Sequence, residues 1–331
     1  MEFRRLGDSS VKASAITFGA WAIGGWMWGG AERKDALEAI RASINEGVTS
    51  IDTAPVYGQG LSEEIVGEAI SGIPRDKLQI LTKFGMRWDI KKGDHSMDSF
   101  DNANNPISIY RYAGRESVLK ECEDSLRRLK TDYIDLYQIH WPDTTTPIDE
   151  TMEAVSLLLK QGKIRAAGVS NYNVQQMEAA EKVVPLASNQ VPYSMVERTI
   201  EAHVVPHAIE NNISIIAYSP LQRGLLTGKI KPGHQFAAGV HRPGTKFYKE
   251  ENIKKINQFL EQIKPIAEGK NASLSQLVLR WTIEQPGITI ALAGARNAEQ
   301  AVQNARAINV KLSAEEMETI NELLSRTELV G

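Results

Sequence analysis

The chain has little cysteine and no marked excess of either charge. Cys122 is the single cysteine in 331 residues, which excludes an intramolecular disulfide and argues against a cysteine metal cluster. The 38 basic and 41 acidic side chains give a net charge of -3, so no nucleic-acid surface is expected. Residues 1–5 lack an apolar signal core, and no apolar run reaches the length of about 18 residues that spans a membrane. We therefore expect a soluble, cytoplasmic protein without membrane partners.

Alternating strand and helix patterns are the main indication of fold. After a predicted hairpin over residues 1–14, eight short apolar strand patterns follow, and each precedes a helical pattern. The order predicts an α/β fold, a (β/α)8 TIM barrel that occupies residues 1–331 as a single domain. An extra C-terminal helix is predicted over residues 314–324, where Ser313 and Glu316 have the spacing of a capping box.

Two connections are longer than simple strand-to-helix loops. They span residues 84–114 and 220–251, and both follow a predicted strand. Long structureless loops in a compact domain are usually lids or binding loops. We therefore expect both connections to lie at the carboxyl ends of the barrel strands, where such barrels perform their chemistry.

Polar residues at the predicted strand ends form the first candidate site. Asp52 ends the second strand, and Tyr57 lies on the following turn before Ser62, the expected N-cap of the next helix. Lys83 ends the third strand and His140 the fourth. Because a barrel brings its strand ends to one rim, these side chains are predicted to meet.

The chemistry of this set suits proton delivery to an oxygen. A lysine beside the Tyr57 phenol is expected to lower the pKa of that phenol, and Asp52 to hold the lysine. His140 can donate a hydrogen bond to a carbonyl oxygen. Taken alone, Asp52 is explained as a turn former, Lys83 as a solvated side chain and Tyr57 as a half-buried wall. The combination of these residues with His140 favours catalysis.

Four longer stretches resemble one known family, the aldo-keto reductases. They are residues 52–63 (DTAPVYGQGLSE), 125–136 (SLRRLKTDYIDL), 162–171 (GKIRAAGVSN) and 218–229 (YSPLQRGLLTGK). Their order along the chain makes the resemblance specific, and it is strongest to bacterial members related to the potassium-channel β-subunits. It implies a barrel that binds NADPH in an extended pose without a Rossmann motif. Tyr57 would be the general acid, Lys83 and Asp52 its tuning pair, and His140 the orienting donor.

The resemblance also implies a cofactor site along the remaining strand ends. Ser170 and Asn171 would bind the carboxamide with Gln190 beside them, and Tyr218 would stack on the nicotinamide. The residues implied around the pyrophosphate are Ser219, Leu221, Arg223, Gly224 and Lys229. Those implied near the reaction centre are Gly19 and Trp21. Those implied around the adenosine are Gly294, Arg296, Gln300, Gln303 and Asn304. Without the resemblance, a helix cap at Ser170-Asn171 and a core position for Tyr218 stay open.

One cation is expected to read the cofactor's 2′-phosphate. Arg296 opens the helix after the eighth strand, and a helix N-terminus is a ready anion site. The aldose-reductase pattern has a Lys and an Arg where this chain has Gly294 and Gln300. NADPH is therefore the expected cofactor, and the use of NADH as well stays open.

Tryptophans on the rim loops are the candidates for the substrate pocket. An aromatic wall around a carbonyl is predicted from Trp26, Trp28, Trp88 and Trp141, with plain loop packing as the alternative for Trp26 and Trp88. The predicted function is NADPH-dependent reduction of small aldehydes and ketones by a monomer or weak homo-oligomer.

The sequence leaves one alternative function open and disfavours another. A cofactor-binding regulatory subunit resembling the channel β-subunits is the alternative. A metal-dependent barrel hydrolase is disfavoured, because no His-x-His or carboxylate cluster marks the strand ends, and no metal site is expected.

Overall fold

In the computed structural model, which describes residues 1–28, 32–236 and 242–331, eight parallel strands close into a barrel. In chain order the strands are β1 (Phe3–Arg5), β2 (Lys12–Ser14), β3 (Ile16–Gly19), β4 (Ser50–Asp52), β5 (Gln79–Phe84), β6 (Met86–Arg87), β7 (Asp94–Phe100), β8 (Pro106–Arg111), β9 (Ile134–Ile139), β10 (Ile164–Ser170), β11 (Leu186–Pro192), β12 (Ser214–Tyr218) and β13 (Ile288–Gly294). The barrel order is β3-β4-β5-β9-β10-β11-β12-β13, and β13 pairs with β3 to close it. The predicted (β/α)8 barrel is confirmed.

Helices surround the barrel on its outer face. They are α1 (Arg33–Asn45), α2 (Leu61–Ala69), α3 (Arg115–Leu129), α4 (Ile148–Lys160), α5 (Val174–Glu181), α6 (Val204–Glu210), α7 (Glu250–Glu268), α8 (Leu274–Glu284), α9 (Ala298–Ala305) and α10 (Ala314–Ser325). In α3 the residues Val118, Cys122, Leu126 and Leu129 recur every three or four positions, and all are buried. That stripe packs α3 against the strands. Among the described residues, every helix is too short or too polar to cross a bilayer.

The N-terminal hairpin closes one end of the barrel. β1 and β2 pair antiparallel, as predicted. Leu6, Val11 and Ala13 from this hairpin cluster with Leu81 and Ile290 from inside the barrel, and all are buried. Since this end is filled by apolar side chains, the opposite rim, at the carboxyl ends of the strands, is the one available for a site.

Two helix starts test the capping predictions. The extra C-terminal helix α10 is present, and Ser313 and Glu316 form its capping box. The prediction that Ser62 caps α2 is wrong, because α2 begins at Leu61 after Gly60, whose φ is 101°. Ser62 lies inside the first turn, where its buried hydroxyl donates to the carbonyl of Ala20 at 2.9 Å. The hydroxyl thus joins α2 to the loop after β3.

The first long connection is folded, so the expectation of a structureless segment over residues 84–114 is wrong. Its strands form an antiparallel sheet in the order β6-β8-β7, which we call the rim sheet. Alternation in β8 places Ile107 and Ile109 on the side that packs against the rim loops. The second connection, residues 220–251, contains 3₁₀ turns at Gln222–Thr227, Arg242–Gly244 and Lys246–Tyr248, and its residues 237–241 lie outside the described part.

Candidate active site

A buried ion pair occupies the centre of the barrel rim. Asp52 ends β4, and Lys83 extends from the neighbouring strand β5. The Nζ of Lys83 donates to Asp52 Oδ1 at 2.6 Å and to the carbonyl oxygen of Thr53 at 2.9 Å. The two side chains are 0% and 3% exposed. Burial lowers the pKa of Lys83, and the Asp52 carboxylate works against that shift.

Two glutamine side chains complete the surroundings of Asp52. Gln190 Nε2 donates to Asp52 Oδ2 at 2.8 Å, and Gln138 Nε2 lies 3.5 Å from the same oxygen. Gln190 was expected beside a carboxamide, but its amide nitrogen is directed at Asp52. Gln138 was missed, although it lies on β9 two residues before His140, the residue that directly follows this strand.

Tyr57 and His140 meet above this pair. Their ring centroids are 5.6 Å apart with an interplanar angle of 83°, and the Nζ of Lys83 lies 5.2 Å from the Tyr57 centroid. The Tyr57 hydroxyl forms no hydrogen bond with any described residue, so it is available to a ligand.

The pKa of Tyr57 moves opposite to the sequence prediction. Burial and then the charges of Asp52 and Tyr218 raise the pKa of Tyr57 well above its ordinary value, so the expected lowering by Lys83 is wrong for this structure. The physical reason is that burial disfavours the charged phenolate, and the nearby Asp52 carboxylate adds to that effect. Burial, and then the charge of Lys83, lower the pKa of His140 well below its usual range. At neutral pH the phenol is therefore protonated and the imidazole uncharged.

The residues expected at the carboxamide form one bonded wall. Asn171 Nδ2 donates to the His140 carbonyl and to Ser170 Oγ, both at 3.0 Å, and Tyr218 Oη donates to Asn171 Oδ1 at 2.9 Å. Ser170 Oγ donates to the Gln190 carbonyl at 2.8 Å. The alternative of a helix cap at Ser170-Asn171 is wrong, because Asn173 caps α5.

A cavity of about 650 Å³ joins these groups to the far end of β13. Among the described residues, Lys83 and Trp88 are the predicted site residues that do not line it: Lys83 is fully buried beside Asp52, and Trp88 packs in the cluster around Trp26. The predicted residues that do line it are Gly19, Trp21, Trp26, Trp28, Asp52, Tyr57, His140, Trp141, Ser170, Asn171, Gln190, Tyr218, Ser219, Leu221, Arg223, Gly224, Lys229, Gly294, Arg296, Gln300, Gln303 and Asn304.

A loop with unusual backbone angles borders the cavity after β12. Ser219, Gln222 and Arg223 have φ values of 56°, 44° and 54°, a region that side-chain-bearing residues rarely adopt. Tyr248 holds this conformation, because its hydroxyl donates to the carbonyls of Gln222 at 2.8 Å and Arg223 at 3.0 Å. Such strained segments concentrate at ligand clamps, and turns of this kind direct backbone N–H groups at anions.

Several cations line the same side of the cavity. Arg223 and Arg242 lie over aromatic rings, with the guanidinium carbons 5.7 Å from Trp21 and 5.4 Å from Trp28. Arg242 was missed, although an Arg-Pro-Gly turn in a long rim connection was a usable signal. At the far end Arg296 is exposed, and its guanidinium forms no ion pair or hydrogen bond with the described residues.

The helix after β13 is capped by its own side chains. Asn297 Oδ1 accepts from the Gln300 backbone N–H, and Gln300 Oε1 accepts from the Arg296 backbone N–H, both at 3.0 Å. Asn304 Nδ2 donates to the Gly294 carbonyl at 3.0 Å. These contacts hold the predicted adenosine-end residues together. Elsewhere in the described part of the chain, no three His, Cys, Asp or Glu side chains are arranged to hold a metal ion.

Comparison with known proteins assigns the family. The model of the aldo/keto reductase family matches residues 15–325, and the chain belongs to this family. It is 41% identical over 332 residues to the aldo-keto reductase YhdN of Bacillus subtilis, covering 99% of this chain and 95% of the relative. It is 34% identical over 328 residues to the NADH-specific methylglyoxal reductase of Escherichia coli, covering 98% of both.

Solved structures show the same fold. The glycerol dehydrogenase AKR11B4 from Gluconobacter oxydans matches with a TM-score of 0.87 and 38% identity, covering 98% of this chain and 95% of that one. An aldo-keto reductase from Klebsiella pneumoniae in complex with NADPH matches with a TM-score of 0.72 and 30% identity, covering 100% of both chains. The protein is thus an oxidoreductase of the aldo/keto reductase family.

Proposed function

We propose that the protein reduces aldehydes and ketones to alcohols with NADPH, and that Tyr57 is the proton donor. The observation that supports this most directly is the position of Tyr57, which lines the cavity beside the ring of His140 and next to the buried Lys83–Asp52 pair. A dinucleotide that carries hydride in its reduced nicotinamide supplies the reducing equivalent when bound. The side chains of the protein supply the proton and the electrostatic surroundings.

The residues around the cavity fit such a dinucleotide. Ser170, Asn171 and Tyr218 form a rigid polar wall next to His140, suited to an amide-bearing ring. The strained loop 219–224 and its neighbouring arginines suit a pyrophosphate, since anions favour directed N–H groups and guanidinium ions. The cavity continues to Arg296 at the far end, long enough to connect both parts.

Proton transfer follows from the geometry of four side chains. Tyr57 keeps its proton at neutral pH and releases it only when a carbonyl oxygen beside it gains negative charge. The uncharged ring of His140 donates an N–H to the same oxygen without competing as an acid. The ammonium of Lys83, 5.2 Å from the Tyr57 ring, stabilises the phenolate that remains. Asp52 fixes the position of Lys83.

Arg296 is our candidate for the 2′-phosphate of NADPH. Its guanidinium lines the cavity and has no partner among the described residues, so nothing in that part of the chain competes with a phosphate. It is the single cation of this segment, which leaves NADH as a second cofactor. The related proteins include both a complex with NADPH and an NADH-specific enzyme.

The test compares two tyrosine variants in the same assay. Purified protein with NADPH and a panel of aldehydes should lose absorbance at 340 nm, and Tyr57→Phe should reduce kcat by about 10²- to 10⁴-fold. NADPH binding, measured by calorimetry, should change little. Tyr133→Phe is the matched control, because Tyr133 precedes β9 at the opposite end of the barrel and stacks on Arg75 and Arg165. Turnover by Tyr57→Phe at the wild-type rate would exclude Tyr57 as the donor.

A further inference from the structure

We propose that the rim sheet is a fixed wall of the substrate pocket, and that it selects uncharged carbonyl compounds with an apolar or aromatic substituent. This inference rests on the proposed reductase function, since it concerns the substrate of the same site. The residues that would make the selection are Met86 on β6 and Met97 on β7, both of which line the cavity.

The wall is apolar and continuous with the proton donor. Met86 is 5% exposed and belongs to a cluster with Trp26, Val56 and Ile109. Met97, Tyr57 and Trp141 pack against the same cluster. A substituent on a carbonyl carbon beside Tyr57 therefore contacts methionine and tryptophan side chains, which offer mainly dispersion contacts, and the indole N–H of Trp26 is already bonded to Ser99.

Hydrogen bonds fasten the sheet to the loop that follows β3. Trp26 Nε1 donates to Ser99 Oγ on β7 at 3.1 Å. Asn102, in the turn between β7 and β8, donates through Nδ2 to the carbonyl oxygen of Gly24 at 2.8 Å. Both contacts join the sheet to the segment that supplies Trp26 to the pocket. The position of that tryptophan is therefore set by the sheet.

A second set of contacts fastens the sheet to the loop that follows β9. Asp94 accepts from the backbone N–H of Thr144 at 2.7 Å and from its hydroxyl at 2.8 Å. The guanidinium carbon of Arg111 lies 4.9 Å from the ring centroid of Trp141. This loop carries His140. The wall is therefore fixed in position relative to the proposed catalytic residues by contacts with the loops after β3 and β9.

Apart from Arg111, whose guanidinium lies against Trp141, the charged side chains of the rim sheet bond to partners that do not line the cavity. Arg87 bonds to Asp89, and Asp98 bonds to His95 and Ser108. Within the described residues, none of these charged groups lines the cavity. A carboxylate placed against Met86 and Met97 would lose water without gaining a partner, which is unfavourable. Of the arginines that line the cavity, Arg223 and Arg242 lie over Trp21 and Trp28, beside the loop proposed for pyrophosphate, and Arg296 lies at the far end.

The test measures the binding of a matched pair of ligands by calorimetry and, in a separate assay, their turnover by the loss of NADPH absorbance at 340 nm. Benzaldehyde and 4-carboxybenzaldehyde are titrated calorimetrically into the full-length protein with NADP⁺ present, so that no hydride is available. Benzaldehyde should bind at least about tenfold more tightly, the scale on which an apolar pocket discriminates. Met97→Lys should reduce this preference at least tenfold, and Met97→Leu should keep it. Phe100→Lys, an equal change at a 57% exposed position on the same strand, should leave the preference unchanged.

Each outcome is decisive. The proposed wall would be refuted by equal affinity for the two aldehydes or by absence of binding by either. It would also be refuted if folded Met97→Lys protein kept the wild-type preference. If Phe100→Lys reduced the preference for benzaldehyde as much as Met97→Lys does, the effect would be a general one of added charge, and the proposed wall would be refuted as well. Selective binding of benzaldehyde without oxidation of NADPH would support the wall while refuting the proposed reductase function.

Discussion

Removing either member of the Lys83–Asp52 pair should strongly destabilise the protein. Both side chains are buried, and Lys83 Nζ has Asp52 Oδ1 and the Thr53 carbonyl as its acceptors. Breaking a buried pair leaves an uncompensated charge and costs about 3–5 kcal/mol. Asp52→Asn and Lys83→Met should each lower the free energy of unfolding by this amount. The double variant should lose less than either single variant, because it buries no unpaired charge.

The assay is urea denaturation followed by circular dichroism and tryptophan fluorescence for all four proteins. The exposed pair Lys254–Glu250, with side chains 58% and 64% exposed, is the control. The same cycle there should give a coupling below about 0.5 kcal/mol, since exposed pairs are screened by water. Additive losses at Asp52 and Lys83, or losses below about 1 kcal/mol, would refute the view that burial makes this pair strong.

Three further predictions concern the surroundings of the site. Arg296→Ala should raise the KM for NADPH at least about tenfold, which corresponds to the loss of a charged hydrogen bond, and should change the KM for NADH little. Equal changes in the two KM values in initial-rate assays would refute the assignment of Arg296 to the 2′-phosphate. Burial raises the pKa of Glu121 from 4.5 to about 7, so the folded protein holds a proton in this range that the unfolded chain has released. Stability should therefore fall by about 3 kcal/mol as pH rises from 4.5 to 7, and urea titrations of Glu121→Gln should lose that slope, whereas an unchanged slope would contradict it. Tyr248→Phe should cost about 1–3 kcal/mol of stability and weaken NADPH binding, because two carbonyls of the strained loop lose their donor; calorimetry and denaturation check both, and unchanged affinity would separate the loop from the cofactor.

The apolar pattern predicts helices over residues 115–129 and 148–160, and α3 and α4 have these bounds, because their apolar positions recur every three or four residues along one face. For the longest helix, α7, the pattern predicts a start at residue 252, whereas the helix begins at Glu250. Short strands were located less accurately. The apolar run over residues 48–51 predicts the second barrel strand there, whereas β4 is Ser50–Asp52, since pairing with β5 and not apolar content decides where a strand begins.

The rim sheet shows what local patterns do not reveal. Strand β7 is largely polar and pairs with β8 across a turn. The sheet as a whole also contacts distant loops. Trp26 and Thr144, which fasten it, lie far from it in sequence. For the same reason Gln138 and Arg242 were missed as site residues, because their importance lies in which distant groups they face.

The sequence by itself determined the barrel, its family and the residue types that meet at the rim, because strand-end positions follow from the order of strands and helices alone. Only the tertiary structure decided the protonation of the site. Burial, and then the charges of Asp52 and Tyr218, raise the pKa of Tyr57 although Lys83 lies beside its ring. How far a side chain is shielded from solvent and which charged groups lie beside it depend on packing in three dimensions, and the residue pattern of a single strand does not reveal either.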